Sequence, residues 1–230
     1  MLYKNIEKYI LYEDNHILIF NKQPSMLVQG DKTEDIPITE HLKDYLKLRD
    51  KKPGNVFMGV VHRIDRPVSG VVIFAKTSKA LKRLNEMLKN HEIKKTYWAL
   101  TSAQPPNQKG TLINYLMKNQ AKNFVTVFDK EKDGAQYAEL EYELISKSNT
   151  FFLLKINLLT GRSHQVRSQL SHINCPIVGD NKYGYKRSNP DRSICLHARE
   201  IQFTHPVSKI NIHITAPTPV NSIWDLFKQN

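Results

Sequence analysis

The spacing of apolar residues along the 230-residue chain changes several times, and each spacing predicts a different element. In residues 9–22, short apolar runs flank the polar residues 13–15, which predicts two short strands or a hairpin. Apolar residues at helical spacing predict a helix over residues 38–48. A second, amphipathic helix is expected to begin at Thr77 or Ser78, because either residue offers an N-cap ahead of leucines that share one face.

The longer C-terminal part of the chain is rich in β-forming residues separated by turns. Residues 94–100 alternate between polar and apolar side chains and predict a strand. Further elements are expected as strands at 110–116, 121–128, 135–145, 151–159 and 210–215, and as a short closing helix at 223–227. Successive strands of this kind are typical of an antiparallel meander. The pattern predicts a single-domain α+β protein over residues 1–230, with helices and loops flanking a mixed, largely antiparallel central sheet.

One carboxylate lies between two apolar runs within residues 60–75. Asp65 follows His62 and Arg63 and precedes Arg66, and the apolar runs on either side predict short buried strands. Nearby cations favour the ionised form of a carboxyl group. Asp65 is therefore a candidate nucleophile or base, and a structural ion pair is the alternative explanation of the same pattern.

Residues 161–173 predict a helix with two different faces. An apolar stripe at i, i+4 and i+7 that starts at Val166 is expected to face the core, and Ser163 is the expected N-cap. Arg167 is expected on a different, non-core face. There it would join the helix N-terminus in directing N–H donors at an anion.

Charge narrows the choice of partner. The chain has 34 Lys and Arg residues against 22 Asp and Glu, which gives a formal net charge of +12. Such a surplus suits a polyanion, above all nucleic acid. A Lys-rich surface without such a partner is the plainer alternative.

Cysteine usage and hydropathy exclude other classes of protein. Cys175 and Cys195 lack C-x-x-C spacing and are expected to be buried thiols in a reducing compartment. No metal site is expected, because His62, His164, His172 and Cys175 follow no common zinc spacing. The N-terminus lacks the apolar core of a signal peptide, and no apolar run approaches the ~20 residues of a membrane span. We therefore expect a cytoplasmic protein that does not contact a membrane.

Several segments resemble the RluA-type pseudouridine synthases, which isomerise uridine in ribosomal and transfer RNA. Residues 62–70 resemble the family's His-Arg-Leu-Asp-x-x-Thr-Ser-Gly signature, with Val68 in place of the usual Thr. Other segments similar to the family are residues 12–22, 94–99, 161–167, 175–184 and 196–206. The resemblance runs from about Tyr12 to about Ala216 and implies the pseudouridine synthase fold. It also implies a catalytic domain alone, without the N-terminal RNA-binding module of the S4 type that many members carry.

The resemblance assigns catalytic roles to three residues. Asp65 would act on the sugar of a flipped-out uridine, either by attacking C1′ or by removing a proton from C2′. Arg167 would pair with this carboxylate in planar geometry. Tyr97 would stack on the uracil and take part in removing the proton from C5. The resemblance implies neither a cofactor nor a metal.

RNA contacts are assigned to a second group of residues, which comprises His62, Arg63, Arg162, His164 and Gln165. Arg63 would help to fill the space that the flipped base leaves. The others would hold the RNA backbone or position a loop. The expected partner is ribosomal or transfer RNA, and the expected oligomeric state is a monomer.

Two other functions remain open. A non-catalytic RNA-binding protein could retain the same fold, and its cellular role would then not depend on Asp65. A glycosidase or nucleosidase would release free base or sugar. Such an enzyme needs two carboxylates in defined geometry, whereas only Asp65 stands out here.

Overall fold

The structure, a computed structural model, describes three stretches of the chain: residues 5–30, 34–220 and 222–227. The chain divides into two compact units, each made of two segments: Met1–Ile93 with Ala198–Pro217, and Lys94–His197 with Thr218–Asn230. The single catalytic domain over residues 1–230 stays a prediction.

Both units combine helices with strands. The helices are α1 Ile38–Arg49, α2 Ser78–Lys89, α3 Gln165–His172 and α4 Ser222–Asp225. The strands are β1 Ile10–Glu13, β2 Ile17–Lys22, β3 Gly59–Val60, β4 Ser69–Ala75, β5 Lys94–Thr101, β6 Lys109–Asn119, β7 Phe124–Phe128, β8 Gln136–Lys147, β9 Phe152–Leu158, β10 Leu196–Thr204 and β11 Asn211–Thr215. Short 3-10 turns lie at Ile6–Tyr9 and Asn181–Tyr183. Among the described residues, no helix is both long enough and apolar enough to cross a membrane.

The first unit is built on β2 and β4, which are buried along their whole lengths. β2 pairs antiparallel with β1 and with β4, β3 pairs with the end of β4, and β10 follows β4 in the sheet and carries β11. A hydrophobic core forms where Ile19 of β2 and Ile73 of β4 join Leu84 of α2. The segment that contains Asp65 therefore starts at β3 and ends at a strand that is packed on both faces.

The helices of the first unit begin where the sequence predicts. α1 begins at Ile38, directly after an extended Pro37. The hydroxyl of Thr77 accepts a hydrogen bond from the N–H of Ala80 at 3.1 Å, so Thr77 is the N-cap of α2. The strand that precedes Asp65, β3, has only two residues, because it pairs only with the last two residues of β4.

The second unit contains the predicted meander. Its strands lie in the order β5-β9-β8-β6-β7, and all four pairings are antiparallel. β7 begins at Phe124, later than predicted, because residues 120–123 form the turn after β6. α3 contacts β6, β7 and the turn Asn181–Tyr183. The predicted α+β class with largely antiparallel strands is confirmed.

Candidate active site

Asp65 lies in the irregular segment between β3 and β4. It is half-buried, and its carbonyl oxygen accepts a hydrogen bond from the N–H of Val68 at 3.0 Å, which closes a tight turn. Gly70 has φ +115°, and a Cβ at this position would lie 2.2 Å from the carbonyl oxygen of Ala198 on β10. Only glycine fits at this close approach of two strands. The glycine at position 70 therefore has a structural reason.

Lys22, the last residue of β2, binds the same turn. It is completely buried, and its Nζ donates to the carbonyl oxygens of Gln23 at 3.0 Å, Arg66 at 3.0 Å and Val68 at 2.6 Å. Burial lowers the pKa of Lys22 to about 7, and the negative charge of Asp65 opposes this shift. No role was predicted for Lys22, although a lysine that ends a buried strand was a signal in the sequence.

His62 and Arg63 precede Asp65 and line an open cavity of about 660 Å³. Nε2 of His62 accepts a hydrogen bond from the N–H of Ile73 at 3.2 Å, so this ring nitrogen carries no proton and the ring is bound to β4. Arg63 is exposed, and its Nη1 lies 3.4 Å from Oε1 of Gln29. The guanidinium of Arg63 is thus open to solvent, as an RNA contact requires.

Helix α3 begins one residue later than predicted. Gln165 is its first residue, and His164 occupies the N-cap in the left-handed conformation, with φ 50° and ψ 21°. The predicted Ser163 N-cap is therefore wrong. Nδ1 of His164 lies 2.7 Å from the hydroxyl of Tyr183, and this tertiary hydrogen bond holds the residue at the position where a local capping rule would place a serine.

Gln165 and Arg162 bind the turn before α3 to β8. The buried Gln165 accepts hydrogen bonds at Oε1 from the N–H of Arg162 at 3.0 Å and the hydroxyl of Thr160 at 2.8 Å, and its Nε2 donates to the carbonyl of Glu139 at 3.0 Å. The exposed Arg162 donates through Nε to the carbonyl of Tyr137 at 2.9 Å. These contacts position the loop, and an RNA contact by either residue stays a prediction.

Arg167 is buried, which corrects the prediction that it lies on a non-core face. Residues 165–170 are all buried, because α3 contacts strands and the turn after it. Nε and Nη2 of Arg167 donate to Oδ2 and Oδ1 of Asp180 at 2.7 and 2.9 Å, and the ring of Tyr183 lies 5.0 Å from Cζ. Asp180, which is 1% exposed, was not predicted as a site residue. Its signals in the sequence were its place in the segment 175–184, which resembles the family, and its position after Ile177, Val178 and Gly179.

Tyr97 lies on β5, where it pairs with Ile156 of β9, and it is 8% exposed. The predicted site residues of the first unit, His62, Arg63 and Asp65, lie next to one another before β4. Those at α3 in the second unit lie together and comprise Arg162, His164, Gln165 and Arg167. The joint action of Asp65, Tyr97 and Arg167 stays a prediction.

Within the described residues, the cysteines and the possible metal ligands form no metal site. Cys175 and Cys195 are buried free thiols, and burial raises the pKa of Cys195 to about 12. Over the described ranges, no three His, Cys, Asp or Glu side chains are grouped so that they could hold a metal ion.

Solved structures share this fold. Human RNA pseudouridylate synthase domain containing 4 superposes with a TM-score of 0.79 at 22% identity, covering 95% of this chain and 91% of that chain. Human RNA pseudouridylate synthase domain containing 1 gives a TM-score of 0.71 at 20% identity, covering 94% and 86%. The fold is therefore the pseudouridine synthase fold, as predicted.

Sequence comparisons agree with the fold. The family model described as RNA pseudouridylate synthase matches residues 16–172. Ribosomal large subunit pseudouridine synthase C of Buchnera aphidicola subsp. Baizongia pistaciae (strain Bp) is 37% identical over 219 residues, which cover 90% of this chain and 66% of the relative. The protein of the same name from Rickettsia typhi (strain ATCC VR-144 / Wilmington) is 31% identical over 218 residues, which cover 94% and 70%.

The chain therefore belongs to the RNA pseudouridylate synthase family, whose members are isomerases. The predicted RluA-type resemblance and the predicted enzyme class are confirmed at the level of the family. The chain spans about two thirds of the length of these curated relatives.

Proposed function

We propose that this chain converts uridine to pseudouridine in ribosomal RNA of the large subunit. A family match that runs through Asp65, Tyr97 and Arg167 carries the proposal, and the names of the relatives support the choice of RNA. The reaction breaks the bond between C1′ and N1, turns the uracil and joins C5 to C1′. It is an isomerisation with no net hydrolysis.

Asp65 provides the carboxylate that acts on the sugar. A carboxylate can add to C1′ or remove the proton from C2′. The turn that Asp65 begins is closed by Val68, and Lys22 binds its carbonyl groups. This support favours a fixed carboxylate, since a nucleophile or base is most effective when it is held in place before the substrate binds.

Arg167 supplies the positive charge that stabilises this carboxylate. A guanidinium is planar and can bind a carboxylate through two N–H groups. The family match supports the assignment of this role toward Asp65 to Arg167. Tyr97 stacks on the uracil, and its hydroxyl takes part in removing the proton from C5.

A basic surface binds the RNA, and the target uridine leaves its stack to reach the site. Base flipping of this kind costs a few kcal/mol. The exposed Arg63 fills the space that the base vacates. His62, Arg162 and His164 hold the RNA backbone or the loops, and the buried amide of Gln165 supports a loop-positioning role for that residue. The protein acts as a cytoplasmic monomer, without cofactor, metal or membrane.

Release of tritium from RNA labelled at uracil C5 tests the reaction directly. The unmodified protein should release tritium, and Asp65→Asn should lose this activity while it retains RNA affinity. Equal release by both proteins would remove Asp65 from the mechanism. An RNA-binding protein without activity would produce no pseudouridine in either form, and a nucleosidase would produce free base or sugar on chromatography.

The target can be found in cells. Pseudouridines mapped in RNA from cells with and without this protein should differ at one or more positions of large-subunit ribosomal RNA. A difference confined to transfer RNA would overturn the choice of substrate and leave the chemistry intact.

A further inference from the structure

The turn that follows α3 holds Arg167 through a buried carboxylate. Arg167 is 6% exposed and Asp180 is 1% exposed. Nε and Nη2 bind the two carboxylate oxygens at 2.7 and 2.9 Å, which is side-on, bidentate geometry. Two parallel hydrogen bonds fix the plane of the guanidinium as well as its distance, whereas a single contact would leave it free to rotate.

Asp180 is itself held by its backbone. Its N–H donates to the carbonyl of Ile177 at 2.9 Å, and its carbonyl accepts from the N–H groups of Tyr183 and Tyr185, both at 3.1 Å. Gly179 has φ +86°, and a Cβ there would lie 2.8 Å from the carbonyl oxygen of Ser193. The carboxylate therefore projects from a turn whose conformation is set by hydrogen bonds and close packing.

Tyr183 bounds the guanidinium of Arg167 on a second side. Its ring centroid lies 5.0 Å from Cζ of Arg167, within the range of a cation–π contact. Its hydroxyl accepts a hydrogen bond from the N–H of Val125 at 2.9 Å and lies 2.7 Å from Nδ1 of His164. Its other neighbour is the stacked ring of Phe124, at 4.9 Å between centroids. Tyr183 is thus fixed by β7 and by the start of α3.

We propose that Asp180 and Tyr183 are positioning residues for the isomerisation, which act by fixing the plane of the Arg167 guanidinium. The inference rests on the proposed function, because Asp180 and Tyr183 would affect the reaction only through the catalytic role proposed for Arg167. Neither residue needs to touch the RNA. A mere stabilising pair would support the fold but would not affect the chemical step once the protein had folded.

The matched pair Asp180→Asn and Asp129→Asn separates these two roles. Asp129 is exposed and also binds an α3 residue, since its Oδ1 lies 2.7 Å from Nε2 of His172, but it does not hold Arg167. In Asp180→Asn, the amide NH2 would face an N–H of Arg167 and turn the guanidinium out of its plane. We expect kcat for tritium release to fall about 10- to 100-fold, with KM for RNA within about twofold. Asp129→Asn should retain both constants.

Tyr183 offers a second pair of variants, which does not depend on the folding of Asp180→Asn. Tyr183→Phe keeps the ring beneath the guanidinium and should retain kcat within about threefold, whereas Tyr183→Leu removes the ring and should lower kcat about tenfold. Circular dichroism and RNA affinity confirm that each variant is folded.

Failure of the positioning role and failure of the proposed function give different results. A folded Asp180→Asn protein with unchanged kcat, or equal kcat values for Tyr183→Phe and Tyr183→Leu, would overturn the positioning role. A kcat that falls equally in Asp180→Asn and Asp129→Asn would also overturn it. If Arg167→Lys has full activity, the plane of the guanidinium does not matter for the reaction and the positioning role fails. If the unmodified protein releases no tritium, the proposed function itself fails.

Discussion

Each unit has one buried basic side chain at its candidate site residues, and the two side chains bind different partners. Lys22 in the first unit donates to carbonyl oxygens of the turn around Asp65, whereas Arg167 in the second unit binds both carboxylate oxygens of Asp180. Neutral carbonyl groups compensate only partly for the burial of an ammonium group, so the pKa of Lys22 falls to about 7. A guanidinium remains protonated in proteins.

This comparison separates two uses of a buried positive group. Lys22 shapes a backbone turn, for which donors matter more than charge. Arg167 keeps a permanent charge in a fixed orientation, which is what electrostatic stabilisation of a reacting carboxylate requires. Variants in both units test this distinction.

The largest effect on stability is expected at Gly70, the second residue of β4 in the first unit. Gly70→Ala should lower the free energy of unfolding by about 4 kcal/mol, because the new Cβ meets a backbone carbonyl at a positive φ. Urea unfolding measures the change. Gly54→Ala is the matched control, since nothing lies within 4 Å of a Cβ there, and it should change stability by less than about 1 kcal/mol. Equal effects would contradict the close approach of β4 and β10.

The next largest effect is expected on kcat, at Arg167 in the second unit. Arg167→Lys retains the charge and loses the planar fork, so kcat at saturating RNA should fall about 10²- to 10³-fold. Single-turnover tritium release measures it. Arg187→Lys, at an exposed arginine of the same unit, should have kcat within about twofold of the unmodified protein. Full activity in Arg167→Lys would show that a point charge is sufficient.

Lys22→Met should have a smaller effect, which depends on pH. Loss of the donor leaves buried carbonyl groups unsatisfied, and the free energy of unfolding at pH 7 should fall by about 2 kcal/mol. Between about pH 7 and pH 10 the unfolded chain holds a proton on Lys22 that the folded protein has released, so the stability of the unmodified protein rises with pH in this window.

The gap between the unmodified protein and Lys22→Met should therefore widen from pH 7 to pH 10, as measured by urea unfolding at several pH values. The exposed Lys82→Met on α2 should instead follow the unmodified protein. Parallel curves for the Lys22→Met and unmodified proteins would mean that Lys22 is fully charged when folded.

The smallest effect is expected at the exposed surface of the first unit. Arg63→Ala should raise the Kd for RNA about tenfold and reduce its salt dependence, because a solvent-open guanidinium that contacts RNA releases counterions. Filter binding at several salt concentrations measures both. Arg66→Ala is the matched control, because the guanidinium of Arg66 already binds Asp35 at 2.6 Å. A larger effect at Arg66 would contradict the assignment of Arg63.

Sequence rules succeeded where a few neighbouring residues decide the structure. An N-cap of α2 at Thr77 or Ser78 was predicted, and Thr77 is the N-cap because its hydroxyl accepts a hydrogen bond from the nearby N–H of Ala80. The same rule failed at α3, where a hydrogen bond between His164 and Tyr183 and the buried amide of Gln165 set the start of the helix. Periodicity also failed to predict that Arg167 is buried, because its burial depends on a carboxylate from a later turn.

Sequence patterns predicted most of the elements and suggested the candidate site residues, because periodicity, capping and short motifs act over a few residues. What holds those residues in place follows from the tertiary structure alone. Lys22 binds carbonyl groups 44 and 46 residues away, and Arg167 binds a carboxylate 13 residues away. Burial makes such contacts strong, and no local pattern says which distant donor and acceptor will be buried together.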